Sequence, residues 1–507
     1  MELILENSKK VEHEISSLLS CDENIAEQIM IENAAISLEK IILKMAGKKR
    51  KSVLIMCGSG NNGADGYTLC RHLAGQCKVF VLKCFEPKSF FCKAAFENIK
   101  PLLKENENFF ELDENLENTK IKKIINKSDI IIDCIFGTGF HGLVCNQIQN
   151  LFKIVNCSKA VKIACDIPSG IDLTSENISA FSIQKKREYV FFADKTVSMG
   201  AHKISLFSDN AKDAAGKIVC ASIGVSKKVF LEAASKVFSS NRIFLLKKSD
   251  ARLPFRSECN THKGTFGHTC IISGEKKGAA ILCALSALRV GSGLSSIVDS
   301  MPESKSDFLI PPCIMQLSSV AENVSCLVIG SGFGRDNKID DFLSVAKEKN
   351  AAVLFDADSF YYKQTADFLL NNESRNTQKI VLTPHPNEFS SLLKLTGLGD
   401  FSVQQITDKR VELVRSFCSK FKNCVLVLKG ANTFIGYKDS IYISTRAKPC
   451  LSKGGSGDVL AGVIAGLLAQ NYDVLDAAVT GVLMHAAASR KFKKSYNLIP
   501  EDLILKL

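Results

Sequence analysis

With 507 residues the chain exceeds what one hydrophobic core usually supports, and its 46% apolar and 23% charged residues are typical of a globular protein of two domains. Its formal charge of +12 comes from lysines spread along the whole chain, which argues against nucleic acid as a partner. No stretch is apolar over a membrane-spanning length and the nineteen cysteines lack a C-x-x-C pair, so we expect a cytoplasmic protein with reduced thiols and no membrane partner.

The first half of the chain alternates strands with helices after a helical N-terminal segment. Residues 8–46 carry apolar residues at helical spacing. The continuous apolar runs that follow are typical of a parallel sheet covered by helices on both faces, so we predict an α/β fold. The predicted strands are 52–57, 78–84, 130–135 and 161–165, and the predicted helix after the first strand is 65–74.

A glycine-rich turn follows the first of these strands. Gly58-x-Gly60-x-x-Gly63 matches the spacing of dinucleotide-binding loops, in which backbone N–H groups approach a pyrophosphate. The acidic residue expected about 20 positions further on is poorly matched, with Glu86 as the nearest candidate. The turn by itself therefore indicates either a dinucleotide loop or a tight strand-to-helix connection capped by Asn and Asp side chains.

Two further strand ends carry carboxylates beside glycines. Asp133 lies in the third strand just before the turn 137–139, and Asp166 follows the fourth strand and opens the turn 166–170. In an open parallel sheet, side chains at the carboxyl edge point into the crevice where ligands bind. Three polar strand ends in one domain therefore favour a ligand pocket over three unrelated helix caps.

A second α/β series follows a segment of different composition. Residues 226–262 mix Lys, Ser and Asn with Pro254, and we interpret them as the connection between the domains plus the first element of the second domain. A hairpin is predicted from short strands at 434–436 and 441–443 around a polar turn. The other predicted strands are 269–273, 295–298, 326–329, 352–355, 379–382 and 425–428, and the main predicted helices are 279–290 and 459–469.

The second half has its own glycine-rich turn, 454–458, at the start of a helix. Its glycines leave N–H groups free at a helix N-terminus, where they suit an anion. Asp458 beside them is placed to deprotonate a hydroxyl group that attacks a phosphate. The turn is not a Walker loop, because no Gly-Lys-Ser/Thr follows. A plain capped turn is the alternative interpretation.

Two other turns of the second half also follow strands. Prolines in the segment 383–388 fix His385 and Glu388 at the end of a strand. A functional and a structural role for His385 are equally open from the sequence. Lys429 opens the turn 429–433, which is placed to add contacts to a nucleotide phosphate.

The combined motifs of the first half resemble the NAD(P)H-hydrate epimerase family, which interconverts the R and S forms of hydrated NADH and NADPH. The resemblance covers about residues 1–230 and depends on the segments 30–35, 60–66, 136–139, 166–172, 193–197 and Lys203. It implies that Asp166 is the catalytic carboxylate and that a potassium ion (K⁺) binds Asn62, Asp133 and Ser169, whose hard oxygen atoms suit an alkali cation better than zinc. The residues that would bind the hydrated dinucleotide are Asn61, Asn62, Gly63, Ala64, Asp65, Gly137, Thr138, Gly139, Phe140, His141, Gly142 and Leu143.

The second half resembles the ADP/ATP-dependent NAD(P)H-hydrate dehydratases, which are members of the ribokinase-like superfamily. The matching segments lie within residues 245–507 and are 262–267, 278–280, 330–334, 356–358, 383–388, 429–431 and 454–460. The resemblance implies that Asp458 is the catalytic base. It further implies substrate contacts at Ala279, Gly332, His385 and Asp458, and ADP contacts at Lys429, Gly430, Ala431, Asn432, Thr433 and Gly457.

Joined, the two halves resemble the bifunctional NAD(P)H-hydrate repair enzymes. We therefore predict a Rossmann-like α/β/α epimerase domain at 1–230 and a ribokinase-like α/β dehydratase domain at 231–507. The resemblance implies a substrate with water added across the nicotinamide 5,6 double bond, whose C6 epimers the first domain equilibrates. The second domain would phosphorylate the C6 hydroxyl of the S form and then eliminate phosphate. Magnesium (Mg²⁺) would neutralise the transferring phosphate.

The fusion of both halves favours ADP over ATP as the co-substrate, and we expect a homo-oligomer. Three other functions stay open from the sequence. The chain could be a kinase of small alcohols or vitamins fused to a dinucleotide-binding module. It could be an NAD(P)-dependent dehydrogenase, which only the turn at 58–63 favours, or a binding protein without catalytic activity. Asp166 and Asp458 argue against the last of these.

Overall fold

The computed structural model divides the chain into two compact units, an N-terminal unit of Leu3–Ser239 and a C-terminal unit of Ser240–Leu507 with Met1–Glu2. It describes residues 1–19, 22–47, 51–105, 107–113, 119–171, 183–209, 211–238, 242–301, 309–375 and 378–507. Asp172, the last residue of one motif, lies outside the described residues. Each unit combines helices with a largely parallel sheet, which confirms the prediction of two α/β domains.

The strands of the N-terminal unit, within the described residues, are β1 (Glu2–Leu5), β2 (Ser52–Cys57), β3 (Lys78–Lys83), β4 (Phe109–Glu111), β5 (Ile130–Cys134), β6 (Val161–Cys165), β7 (Lys195–Met199), β8 (His202–Lys203) and β9 (Lys217–Ala221). Seven of them form a parallel sheet in the order β4-β3-β2-β5-β6-β7-β9. β1 pairs in parallel with β8. Because β2 and β5 are central neighbours, the loops that follow them open at the same edge of the sheet.

The helices of this unit are α1 (Ser8–Leu19), α2 (Glu23–Ala46), α3 (Asn61–Leu73), α4 (Phe90–Ile99), α5 (Thr119–Lys127), α6 (Asn146–Cys157), α7 (Ile183–Tyr189) and α8 (Lys227–Val237). They cover both faces of the sheet, as the uninterrupted apolar strands require. In β2, for example, Val53, Ile55 and Cys57 pack into one buried cluster. Leu54 and Met56 pack into the cluster on the opposite face.

Helix α3 begins at Asn61, four residues before the start predicted from the sequence. The two asparagines and Gly63 have low helix propensity, which hid the first turn. Tertiary packing explains the glycine, because a Cβ atom at Gly63 would lie 2.2 Å from the carbonyl oxygen of Gly58. The close approach of α3 to the end of β2 therefore decides the conformation here.

The strands of the C-terminal unit, within the described residues, are β10 (Arg242–Leu245), β11 (His268–Ser273), β12 (Leu294–Asp299), β13 (Met315–Leu317), β14 (Cys326–Ile329), β15 (Ala352–Phe355), β16 (Ile380–Leu382), β17 (Cys424–Leu428), β18 (Thr433–Tyr437) and β19 (Ser440–Ser444). Their order is β13-β12-β11-β14-β15-β16-β17-β18-β19-β10. The pairings are parallel except for β17-β18 and β18-β19, which are antiparallel. The predicted hairpin is therefore confirmed.

The helices of the C-terminal unit are α9 (Lys277–Arg289), α10 (Asp340–Glu348), α11 (Lys363–Arg375), α12 (Pro386–Leu395), α13 (Val403–Asp408), α14 (Arg410–Lys420), α15 (Ser456–Ala469), α16 (Val474–Ser489) and α17 (Pro500–Leu505). Helix α15 is buried on all sides from Val459 onward, and glycines allow it to approach α9 closely. A Cβ atom at Gly462 would lie 2.1 Å from the carbonyl oxygen of Cys283, and one at Gly466 would lie 2.7 Å from that of Ala287. This packing fixes the axis of α15 and thus the position of its N-terminal turn.

The segment 226–262 differs from the interpretation given to it. It contains α8, whose Phe230, Ala233 and Ala234 belong to a core cluster of the N-terminal unit. It also contains β10, the strand next to β19. Lysines at the solvent side of α8 masked its apolar spacing. Among the described residues, the structure has no helix that combines the length and apolarity required to cross a bilayer.

Candidate active sites

A cavity of about 920 Å³ opens in the N-terminal unit at the carboxyl ends of β2, β5 and β6. The loops after these three strands carry the polar residues that the sequence singled out, so the structure brings them together as the sheet topology predicts. The predicted residues that line the cavity are Asn61, Asn62, Asp65, Gly137, Thr138, Gly139, Phe140, His141 and Asp166. The other four predicted ligand contacts do not line it: Gly63 and Ala64 are buried in the first turn of α3, and Gly142 and Leu143 lie further along the loop.

Asp166 is held in place by its backbone and by two donors. Its φ of 65° puts a non-glycine residue in the left-handed region, a conformation that persists only where the surrounding structure enforces it. Its Oδ1 atom accepts a hydrogen bond of 3.0 Å from the Met199 amide and forms an ion pair with the buried Lys203. Burial lowers the pKa of Lys203. The carboxylates of Asp166 and Glu12 raise it by more than burial lowers it, so the pKa lies above its usual value. The ammonium group therefore stays charged beside the Asp166 carboxyl group.

A second group of oxygen atoms lies beneath the cavity. Asp133 is fully buried and accepts hydrogen bonds of 2.7 Å from both the amide and the hydroxyl group of Ser169, and one of 3.2 Å from the Ile135 amide. Burial raises the pKa of Asp133 to about 6, against the lowering effect of these donors. The Asn62 side chain donates to the Phe136 carbonyl at 3.0 Å, while its Oδ1 atom is buried and has no hydrogen-bond partner among the described residues. An orphaned buried oxygen beside a buried carboxylate fits a bound cation.

The N-terminal helices contribute residues that sequence reasoning missed. Glu12 and Lys9 of α1 and Glu27 of α2 line the cavity. Burial raises the pKa of Glu12, Lys203 opposes the shift, and Asp166 and Glu27 add to it. Lys203 belonged to a recognised motif, but the sequence assigned it no role. Charged residues on amphipathic helices are usually solvated, so no local signal distinguished Glu12 from its neighbours.

The candidate site of the C-terminal unit is built on the first turn of α15. Gly455, at φ 87°, precedes the helix in a left-handed conformation that glycine adopts without strain. The Ser456 hydroxyl donates to the Leu451 and Lys453 carbonyl oxygens at 2.7 and 2.9 Å, and the Ser456 carbonyl lies 3.0 Å from Nε2 of the buried His485. Burial lowers the pKa of His485 to about 4, so the ring is neutral and Nε2 can donate this hydrogen bond. These contacts fix the turn at the helix start, where the helix N-terminus suits an anion.

Asp458 interacts electrostatically with the buried Asp356 and the partly buried Lys429. Lys429 Nζ lies 3.0 Å from Asp356 Oδ1 and 3.8 Å from Glu388 Oε2, and it would lie 3.5 Å from a Cβ atom at Gly457. Burial raises the pKa of Asp458 to about 7; Asp356 adds to the shift and Lys429 opposes it. A carboxylate with a pKa near neutrality is suited to act as a general base.

Three further residues of this unit were predicted to contact the substrate: Ala279, Gly332 and His385. Gly332, at φ 68°, and Ala279 are in contact, since a Cβ atom at Gly332 would lie 3.0 Å from that of Ala279. His385 caps α12: its Nδ1 atom accepts hydrogen bonds from two amides of that helix, and its Nε2 atom lies 3.0 Å from Glu388.

In the turn 430–433, Asn432 is almost fully buried and its carbonyl accepts a hydrogen bond of 3.2 Å from the buried Arg410. Gly430 is also required there, because a Cβ atom would lie 2.5 Å from the Arg410 guanidinium. Arg410 therefore supports this turn from the protein interior. Lys429, just before the turn, lies near the carboxylates of Asp356 and Glu388.

Both halves of the chain match known protein families. Residues 269–507 match the family described as NAD(P)H-hydrate dehydratase, and residues 27–205 match the family described as YjeF-related protein N-terminus. A bifunctional NAD(P)H-hydrate repair enzyme of Helicobacter pylori is 38% identical over 483 residues, which cover 95% of each chain. One of Dictyoglomus turgidum is 28% identical over 522 residues, which cover 96% of this chain and 94% of the relative. An ADP/ATP-dependent NAD(P)H-hydrate dehydratase from Bacillus subtilis, co-crystallised with ATP/Mg²⁺, aligns with a TM-score of 0.43 and 24% identity over 52% of this chain and 95% of its own.

Proposed function

We propose that this chain, which belongs to the family of bifunctional NAD(P)H-hydrate repair enzymes, epimerises hydrated coenzyme in its N-terminal unit and dehydrates it in its C-terminal unit. The chain is an enzyme with an isomerase and a lyase activity that together restore NADH and NADPH. The observation that carries the assignment of roles is the same in both units. In both, a lysine pairs with a carboxylate at the carboxyl edge of a parallel sheet. Lys203 pairs with Asp166, and Lys429 pairs with Asp356, which acts on Asp458.

In the N-terminal unit, Asp166 is the carboxylate that handles the proton of the C6 hydroxyl group. It pairs with the Lys203 ammonium group, and the Met199 amide fixes the direction of its Oδ1 atom. The glycine turn 137–139 lines the same cavity, where its backbone can approach a phosphate closely. Lys9 lies beside this turn, since its Nζ atom would be 2.8 Å from a Cβ atom at Gly139, and it supplies a positive charge there.

A potassium ion in this unit would be held by Asn62, Asp133 and Ser169. The residues fit, because Asn62 Oδ1 is buried without a hydrogen-bond partner among the described residues and Asp133 supplies a buried negative charge. All of these ligands are oxygen atoms, which are the ligands that hard cations prefer. Bound there, the ion would stabilise the loops after β5 and β6 that shape the cavity.

In the C-terminal unit, Asp458 acts as the base that deprotonates the C6 hydroxyl group of the S form while the oxygen attacks the terminal phosphate of ADP. The N–H groups of the turn 454–458 and the Lys429 ammonium group stabilise the negative charge on the transferring phosphate. Phosphate is a better leaving group than hydroxide, so its elimination with a C5 proton restores the 5,6 double bond. Magnesium is assigned to the ADP phosphates, where it adds to the neutralisation of charge.

ADP is proposed rather than ATP because the chain fuses both activities, and the two donors can be compared directly in the dehydration assay. A cytoplasmic location and a homo-oligomeric state also belong to the proposal. Light scattering on the purified chain tests the second of these.

The test uses a mixture of R and S hydrated NADH. The wild-type chain with ADP should recover all of the NADH. Asp166→Asn should dehydrate only the S fraction, and Asp458→Asn should epimerise but form NADH at least about 10²–10⁴-fold more slowly, the usual contribution of a general base. Near wild-type dehydration by Asp458→Asn, or equal loss of both activities in either variant, would contradict the assignment.

A further inference from the structure

Glu12 lies in the wall of the cavity that also contains Asp166, although no motif includes it. It is carried by α1 and is partly buried. Its electrostatic partners are Lys203, Asp166 and Glu27, so it belongs to the same charge group as the Asp166–Lys203 pair. Asn62, whose buried Oδ1 atom has no hydrogen-bond partner in the described parts of the chain, lines the same cavity.

Inversion at C6 of the hydrated ring needs two groups that handle protons. C6 carries a hydroxyl group and is bonded to the ring nitrogen N1, so it is a hemiaminal carbon. To open the ring, the hydroxyl group must lose its proton and N1 must gain one; closure reverses both transfers. An acid and a base with different proton affinities on either side of the ring serve this purpose.

We propose that Glu12 is the general acid of the epimerisation and Asp166 its base, an inference that rests on the epimerase function proposed for this unit. Asp166 takes the hydroxyl proton, the C6–O bond becomes a carbonyl, the C6–N1 bond breaks, and its electron pair on N1 takes the proton of Glu12. The C6 aldehyde rotates and presents its other face to N1. N1 then attacks C6, its proton returns to Glu12, and the oxygen takes back the proton from Asp166. At the end, the C6–N1 bond and the C6 hydroxyl group are restored with the opposite configuration at C6. Glu12 has its proton again, and Asp166 has lost the proton that it took.

The two carboxyl groups have environments suited to these opposite roles. The Met199 amide and the Lys203 ammonium group both contact Asp166 Oδ1, so the proposed base has two donors that fix its position. Burial raises the pKa of Glu12, and the negative charges of Asp166 and Glu27 oppose its ionisation, while Lys203 and the Ser8 hydroxyl group favour it. Glu12 therefore keeps its proton to a higher pH than an ordinary glutamate. The charged or titratable groups around it are Lys203, Asp166, Glu27 and Asp65 on other elements, and Lys9 and His13 on its own helix.

Asp65 is the competing candidate for the acid. Burial also raises its pKa well above the usual value, with Asp166 adding to the shift. Its Oδ2 atom, however, lies 3.8 Å from the buried Cys165 thiol, on the side of the sheet. Glu12, on α1, and Asp65, on α3, both lie on a different element from Asp166, so the two variants in the experiment distinguish them.

The experiment measures inversion of R-hydrated NADH to the S form without ADP, by chromatography, over a pH series with the full-length chain. Wild-type inversion should slow as pH rises, because the acid form of Glu12 is lost. Glu12→Gln should be slower by about 10²–10⁴-fold and should lose this limb of the pH profile. Glu12→Asp should recover part of the rate, and its rate should still decrease as pH rises. The matched control is Glu14→Gln on the same helix, whose carboxylate pairs with Lys236 at 2.6 Å outside the cavity and should leave the profile unchanged.

Wild-type rate and pH profile in Glu12→Gln would overturn the inference, and so would loss of the limb in Asp65→Asn but not in Glu12→Gln. The thermal unfolding transition of each variant checks its fold. If Glu12→Gln does not fold, Glu12→Asp provides the test. The pH at which its inversion slows must differ from that of the wild type, and an unchanged pH would overturn the inference. A wild-type chain that inverts nothing, or an Asp166→Asn variant that inverts normally, would instead refute the proposed epimerase function itself.

Discussion

The charge on Asp356 should set the pH at which the dehydratase works. Asp458 has a pKa of about 7 because it is buried and because Asp356 raises it, while Lys429 opposes the shift. Asp356→Asn removes the negative charge and reduces the ion pair of Lys429 at 3.0 Å to a hydrogen bond with a neutral oxygen, and both effects lower the pKa of Asp458. The amide oxygen can still accept the hydrogen bond of 2.7 Å from Thr383, which preserves the local packing.

The size of the effect follows from the ionised fraction of the base. With a pKa of about 7, roughly one tenth of Asp458 is ionised at pH 6; a decrease of about one unit raises this to roughly one half, an increase of about fivefold. Lys429→Gln should act in the opposite direction. An increase of about one unit would reduce the ionised fraction at pH 7 from about one half to about one tenth.

The assay is the pH profile of kcat/KM for the S hydrate at saturating ADP, followed by the near-ultraviolet absorbance of the restored coenzyme. The lower limb should move to more acidic pH in Asp356→Asn and to more alkaline pH in Lys429→Gln, whatever happens to the maximal rate. Asp400→Asn is the matched control, because Asp400 pairs with Lys394 at an exposed position and should not move the limb. Two variants that move the limb in the same direction, or not at all, would refute the electrostatic reasoning.

Two further outcomes concern the N-terminal unit. Asn62→Ala should slow epimerisation and weaken its dependence on potassium, measured by exchanging potassium for sodium at constant ionic strength; an unchanged response would argue against the cation site. Gly66→Ala should lower the free energy of unfolding of this unit by about 1–3 kcal/mol, because its Cβ atom would lie 2.8 Å from that of Cys134 and 2.9 Å from Cys57 Sγ. Gly60→Ala, which meets no atom within 4 Å, should change the urea-unfolding midpoint little, and equal effects would contradict the packing argument.

Strands that are buried on both faces could be predicted closely. The predicted bounds of 52–57, 161–165, 326–329 and 352–355 coincide with β2, β6, β14 and β15, because uninterrupted apolar runs leave no ambiguity of period. Some strands with polar or charged residues were missed. Lys195–Met199, for example, has a buried threonine and a buried serine, whose hydroxyl groups bond to the Ala215 and Ala201 carbonyls. Such pairing depends on tertiary neighbours that a single strand does not reveal.

The candidate sites could be predicted as far as their loops but not as far as their electrostatics. Motif spacing predicted Asp166 and Asp458 as the central carboxylates, because glycine turns at strand ends and helix starts are local features. It missed Glu12 and Glu27, which reach the cavity from helices earlier in the chain. Which charged residue of an amphipathic helix faces a cavity depends on how that helix packs.

Both proposed sites contain a lysine and several carboxyl groups, but the lysine pairs with a different carboxyl group in each. In the N-terminal unit the lysine pairs with the proposed base Asp166 itself, and a separate, partly buried carboxyl group, Glu12, can keep a proton. In the C-terminal unit the lysine pairs with Asp356, a neighbour of the base, so Asp458 keeps a pKa near neutrality. Epimerisation must return every proton that it takes, which favours an acid and a base of fixed and opposite protonation. Dehydration releases a hydroxyl proton only when a phosphate is ready to be transferred, which favours a single base that is half ionised until the substrates arrive. The position of the lysine relative to each carboxylate is therefore the feature that fits each site to its own proton transfer.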